Sequence, residues 1–274
     1  AEDALVLDAA NHPRIGGGAP AVGSLFVVAP DMDVSIDDAA TTLVVAGDTL
    51  LAAGPIRGGV VRARNQQTPD APTKIAGVLP VLDVDAAEFD AATHVDALRA
   101  SGGHIEIASG TPVVVAGAAD VGALTLDDGA SLDAGGPLTG SVALGAGATR
   151  ATLVLRGDAT LAVAALGGRG DAYELHASAQ GTQHLAIASF DAPAVGTVVV
   201  DATSNALFGD GASYGTLLVA ANGNVAPFAS SSTGIVNVDA LVLTTTQQPI
   251  AGARGTLKAK HCQLPSQRLD RPSY

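Results

Sequence analysis

Residues 104–155 read HIEIASGTPVVVAGAADVGALTLDDGASLDAGGPLTGSVALGAGATRATLVL. Short apolar runs recur in this stretch: His104–Ile107, Pro112–Ala116, Ala123–Leu126, Ser141–Leu144 and Thr152–Leu155. Small turns separate them, among them Asp127-Asp128-Gly129, Ala134-Gly135-Gly136 and Gly145-Ala146-Gly147. Runs this short, broken by Gly- and Asp-rich turns every ~8–15 residues, are the pattern of an all-β chain. The pattern continues through Leu161–Leu166, His184–Ile187, Thr197–Val200, Thr216–Val219, Ile235–Val238, Leu241–Leu243 and Thr256–Ala259.

Two all-β architectures fit such a pattern, a sandwich and a β-solenoid. Composition favours the solenoid. The 274 residues include 33 Gly, no Trp, three Tyr and five Phe, and hydrophobic residues make up 47%. A sandwich core of this size usually carries several large aromatics. Stacked coils instead repeat small and medium aliphatic side chains at equivalent positions. With roughly 20 residues per coil and strands ~4.8 Å apart, residues 104–264 form about eight coils and a rod of ~35–40 Å.

Working towards the N-terminus, residues 1–80 mix short strands with turns. Ser24–Ala29, Asp33–Ile36, Leu43–Ala46 and Val60–Ala63 read as strands, and Gly47-Asp48 and Gly58-Gly59 as turns. The expectation is a small N-terminal β domain. Residues 65–82 are rich in Pro and polar groups and read as a linker. Residues 81–103 then complete the linker and form one short helix. Asp85 takes the cap position with Glu88 three residues on, Val84 and Phe89 form a staple, and Phe89, Ala92, Val95 and Leu98 lie three apart. Gly102-Gly103 stops the helix.

The segment from Phe89 to Asp133 (FDAATHVDALRASGGHIEIASGTPVVVAGAADVGALTLDDGASLD) resembles the start of pectin-lyase-like right-handed parallel β-helices of phage tailspikes and related virion proteins. The likeness is an Ala-rich helix, Gly-Gly, an alternating strand, a Gly, another strand and a turn. It covers about 45 residues closely and the following 130 in character. The family's aromatic after the strand-ending Gly is replaced here by Thr111-Pro112. The resemblance implies a capping helix, a β-helix over 104–264, an N-terminal virion-attachment domain and a homotrimer. Ala123–Asp133 also looks like autotransporter passenger domains.

Charge narrows the function classes. Net charge is −13, from 27 acidic and 14 basic residues. A body this acidic repels nucleic-acid phosphates, and few aromatics leave little stacking surface for sugars or bases. The charge is segregated: residues 1–253 carry −17, whereas residues 254–274 hold Arg254, Lys258, Lys260, Arg268 and Arg271 against Asp270, net +4. The basic tail, with its end at 265–274, is a candidate docking segment for another particle protein. The lone Cys262 forms no internal disulfide. Ala1-Glu2-Asp3 lacks a basic region and no apolar stretch follows it, so no signal peptide is read. The longest uncharged stretch, 211–238, is crowded with Gly, Ser, Asn and Pro and does not read as a membrane span.

No constellation reads as a catalytic or metal site. Arg156-Gly157-Asp158 and Arg169-Gly170-Asp171 are triplets of the integrin-ligand type, read here as Gly turns with charged flanks. Gly167-Gly168-Arg169-Gly170-Asp171 has its Asp one residue too early for a calcium nonapeptide and does not recur. Asp31-x-Asp33 and Asp83-x-Asp85 lack an EF-hand's length and closing Glu. A β-helix hydrolase needs two or three converging carboxylates. Asp127, Asp128, Asp133, Asp201, Asp210 and Asp239 are available, but nearly all sit beside Gly or at strand ends, where Asp makes turns. His12, His94, His104, His176, His184 and His261 have no metal-ligand spacing. Cys262 and His261 are adjacent on a strand and point to opposite faces.

The expectation from sequence is therefore a non-enzymatic structural protein of a bacteriophage virion: a capsid decoration, head fibre or small spike subunit. It would be trimeric, without cofactor or metal, assembled in the host cytoplasm, and would touch neither nucleic acid nor membrane. The alternatives are a β-helix polysaccharide hydrolase or lyase and a secreted adhesin passenger.

Overall fold

A computed structural model describes residues 4–7, 12–16, 19–66, 68, 71–156, 160–166, 173–178, 181–187, 195–200, 204–208, 213–219, 224–226, 235–243 and 256–264. Every regular element among them is a β-strand, and every strand pairing is parallel. Parallel neighbours cannot be joined by a tight hairpin. Here the chain returns by winding round: from Pro112–Val115 to Ser213–Val219 the pairings join each strand to the next but one, as in Pro112–Val115 with Ser131–Ala134 and Ala119–Leu126 with Leu138–Leu144, and Ile235–Leu243 then pairs with the next described strand, Thr256–Gln263. The fold is a parallel β-solenoid.

Vertical ladders of equivalent residues build the core. One runs Leu43, Val61, Leu82, Leu98, Ala119, Leu138. Another runs Leu5, Leu25, Leu50, Ile75, Phe89. Apart from the terminal Leu5, which is half-buried, these side chains are buried. Alternation along each strand explains why. Successive side chains point to opposite faces, so Leu25 and Val27 go inward while Phe26 and Val28 go outward. Small and medium aliphatics dominate the ladders because each must fit beneath its counterpart one coil away. Phe89 is the one aromatic among the buried core residues described.

The coils are unequal. The Leu5 ladder advances by 20, 25, 25 and then 14 residues. The 20-residue coil and the two 25-residue coils each carry an additional short strand in a separate three-stranded ladder, Arg14–Ile15, Val34–Ile36 and Ile56–Arg57. Met32, Val34, Ile36 and Ile56 fill the added interior. Just beyond residue 107 the coils narrow, with steps of 19 residues from Val113 to Leu132 and from Ala119 to Leu138, before widening again to 23 from Leu138 to Leu161 and 24 from Leu161 to Leu185. This drift hides the repeat from any fixed-period reading of the sequence.

Two expectations are corrected. The segment read as a capping helix is the strand Ala86–Ile107. Its residues spaced by three come from pairs at strand spacing, Ala87/Phe89, Thr93/Val95 and Leu98/Ala100, separated by corner residues. Ala gives the segment helix propensity, but propensity is a weak preference. Pairing with Thr73–Val84 on one side and with Pro112–Val115 and Ala119–Leu126 on the other overrides it. Gly102, with φ +80°, turns a corner rather than ending a helix.

The segment read as a linker contains the 12-residue strand Thr73–Val84. Its Pro80 lies between the stretch paired with Thr49–Ala52 and the stretch paired with Val60–Ala63, at a corner where no ladder N–H is required. The strand therefore continues through residue 80, where the ladder skips one position and resumes at Val81.

Polar side chains tie one coil to the next. Arg14 donates to Asp37 at 3.0 Å and Arg57 to Asp33 at 2.9 Å. Arg62 donates to Asp83 at 2.7 Å, and Arg64 pairs with both Asp83 and Asp85. Farther along, hydroxyl and backbone donors replace arginine. Thr139 Oγ1 donates to Asp120 at 2.8 Å, and Asp128 accepts from the backbone N–H and Oγ1 of Thr149, each at 2.7 Å.

Candidate functional site

The most distinctive surface feature is an apolar groove on one side of the N-terminal half. Its walls include Leu51, Ala53, Val78, Ala92, His94 and Val114, and its volume is about 540 Å³. Local backbone geometry makes it. Ile75 pairs with Phe89 but Gly77 pairs with Thr93, so two steps on one strand face four on the next. The excess is a β-bulge, which leaves Asp90, Ala91 and Ala92 exposed, with Ala92 lining the groove. Gly77 has φ +120°, and a Cβ there would overlap the carbonyl oxygen of Ala52, so the floor is open only because this residue is glycine.

The groove belongs to a longer apolar stripe. One outward ladder is Val6, Phe26, Leu51, Ala76. The outward ladder beside it contains Val28, Ala53, Val78, His94 and Val114, and then reaches Asp133. Val6 is 53% exposed, Val28 55%, Val78 40% and Leu51 36%. Scattered exposed apolar residues are ordinary, but a contiguous group marks a contact surface. Four of the five large exposed hydrophobics among the described residues fall on these two ladders, the fifth being Leu264. The stripe has a charged margin, where Lys74 lies 3.9 Å from Asp90.

The candidate docking residues are not gathered. Lys258 and Lys260 are exposed on the last described strand, Thr256–Gln263, two residues apart and so on the same face. Arg254, Arg268 and Arg271 lie outside the described residues. In the two Arg-Gly-Asp triplets only Arg156 is described, at the end of the strand Ala151–Arg156.

The short carboxylate pairs are engaged by arginine. Asp33 holds Arg57, and Asp83 and Asp85 hold Arg62 and Arg64. Asp127 and Asp128 lie at a corner, Asp133 faces outward from the strand Ser131–Ala134, and Asp239 lies on the strand Ile235–Leu243. Asp201 and Asp210 lie outside the described residues. His176, His184 and His261 sit on three different strands. Among the described residues no group of three or more His, Cys, Asp or Glu converges on a point that would hold a metal ion.

Electrostatics follow the same geometry. Hydrogen bonds from Thr49 and Ser24 hold the Asp48 carboxyl below its usual range. The backbone and hydroxyl of Thr149 do the same to Asp128. Both carboxylates are exposed and act as latches between coils.

Residue-type motifs were bound to miss the groove, because its residues are ordinary. The signal was in the alternation. Phe26-Val27-Val28, Leu50-Leu51 and Val78-Leu79 place apolar residues on both faces of strands that need only one apolar face. No protein-family model, curated protein or solved structure gives a significant match to the chain.

Proposed function

We propose that this chain is a non-catalytic structural subunit of the bacteriophage-virion type, a decoration, fibre or small spike component that works as a trimer. The observation that carries the structural part is the use made of its carboxylates. Asp33, Asp37, Asp83, Asp85, Asp120 and Asp128 bond across coils to arginine, threonine or backbone donors. Acid–base hydrolysis uses a pair of carboxylates facing a shared cleft; these are spent on holding a rod together. The virion assignment draws on what remains of the resemblance to tailspike-type solenoids, the strand-and-turn run His104–Asp133 and the β-solenoid architecture, since the helical part of that likeness is a strand here.

A rod of stacked coils serves such a role because each coil contacts only its neighbours, so length is gained without changing the cross-section. The basic Lys258 and Lys260 on the last described strand supply contacts for an acidic neighbour. The test is direct. Gradient-purified particles from the source culture are probed by mass spectrometry and immunogold labelling for this chain. The expected result is labelling at a fixed copy number per particle. Separately, the purified protein is incubated with surface polysaccharide, and release of new reducing ends would overturn the non-catalytic reading.

A further inference from the structure

We propose that the apolar stripe centred on Leu51 and Val78 is where copies of this chain pack side by side, the occupant of the groove being a second copy. This rests on the self-associating reading above and gives it a location. The argument is electrostatic first. At net −13, two copies repel one another over most of their surfaces. The stripe is the exception. Along Val6, Phe26, Leu51 and Ala76, and along Val28, Ala53, Val78, His94 and Val114, no acidic or basic carboxylate, ammonium or guanidinium side chain occurs until Asp133. Two acidic rods meeting here bring few carboxylates together, Asp90 at the margin being accompanied by Lys74.

The dimensions agree. Six successive rungs at ~4.8 Å give a stripe of about 24 Å, which is about 12–14 Å wide on the three rungs that carry both ladders, Phe26/Val28, Leu51/Ala53 and Ala76/Val78, and half as wide on the others. That is ~200 Å² of apolar surface, short of the ~800 Å² per partner of a complete interface but suited to its hydrophobic centre. The bulge at Asp90–Ala92 and the open floor at Gly77 shape this centre as a socket, which receives the projecting Val28 or Val78 of a neighbour. At the margin, Lys74 and Asp90 supply one charge of each sign, so the rim is able to pair with its own counterpart. Because the stripe runs along the stacking direction, copies that meet on it lie side by side with their long axes aligned.

Size-exclusion chromatography with light scattering tests this on the full chain. The wild type is expected to elute as a trimer of 26.8 kDa chains, and the double variant Leu51→Glu, Val78→Glu as a monomer with unchanged circular dichroism. Val142→Glu would not serve as a control, since that residue is buried; Thr125→Glu, half-buried and facing outward two coils away, does. A wild type that is monomeric at micromolar concentration, or a folded double variant that keeps its oligomeric mass, overturns the proposal. A wild-type dimer that the double variant dissolves supports the surface and overturns the trimer. A second measurement does not depend on introducing charge. Val78→Cys in a Cys262→Ser background is expected to form a disulfide-linked dimer on mild oxidation, and failure to do so while oligomeric overturns the placement of the stripe. Neither assay reads polysaccharide cleavage or particle labelling, so their failure is distinct from failure of the functional reading.

Discussion

The N-terminal coils and the central coils solve the same stacking problem with different materials. Over residues 5–66 the coils are wide, carry the additional strands Arg14–Ile15, Val34–Ile36 and Ile56–Arg57, and fill their interior with Met32, Ile36, Leu50 and Ile56. Their coil-to-coil links include arginine–aspartate pairs. Over residues 108–156 the coils lack that extra strand, the interior stacks Leu124, Leu126, Leu132 and Leu138 with Val113, Val115, Ala119, Ala130 and Ala134, and the side-chain links include threonine and backbone N–H donors to aspartate. The difference teaches that circumference, not a fixed repeat, is the variable here. The wide coils fill their added loop with Met32, Val34, Ile36 and Ile56, whereas the 19-residue coils close without that loop.

The largest expected effect comes from the ladder common to both regions. Leu82→Ala opens a cavity between Val61 and Leu98 at the junction of wide and narrow coils, and is expected to cost about 2–5 kcal/mol by urea unfolding. An equal loss for Val115→Ala would undo the comparison, because a valine in a narrow coil removes fewer methyl groups. Next, Gly77→Val should destabilise by at least ~1–3 kcal/mol, since φ +120° disfavours a branched residue and its Cβ meets the Ala52 carbonyl. A melting temperature equal to wild type would show that the groove floor relaxes freely.

The pH response should divide the regions less strongly. The carboxyls of Asp48 and Asp128 are held below the ordinary aspartate value of 3.8 in the folded chain, by hydrogen bonds from Thr49 and Ser24 and from Thr149. Their contribution is therefore present above that value and is lost as pH falls through the lower folded-state pKa. The thermal midpoint should drop more steeply below about pH 3.8 in the wild type than in Asp128→Asn, which has no charge to lose there. Identical acid profiles would remove Asp128 as a latch. The smallest effect is ionic. Arg57→Gln should cost under ~1 kcal/mol, a loss that shrinks further near 1 M salt, because its pair with Asp33 is exposed.

Much of this fold was legible, and the errors have physical causes. Strands such as Val60–Ala63, Pro112–Val115 and Thr152–Leu155 announce themselves by apolar runs between turns, and the scarcity of aromatics points to stacked coils. The Ala86–Ile107 strand was illegible because corner residues break its alternation into spacings of three, which imitate a helix face. Thr73–Val84 was obscured by Pro80. The groove depends on a register jump between Ile75 and Gly77, which is a relation between two coils and has no counterpart in a single stretch of chain.

The parallel ladder also has a mechanical meaning. Its hydrogen bonds lie along the rod, so tension between the two ends falls on one rung at a time, and each rung released frees a single coil. The short step from Ile75 to Phe89, 14 residues against 25 on the coil before it, therefore sets the smallest unit of extension in that part of the chain. Under load such a molecule pays out length in small unequal portions, the behaviour of a sacrificial tether rather than of a rigid strut.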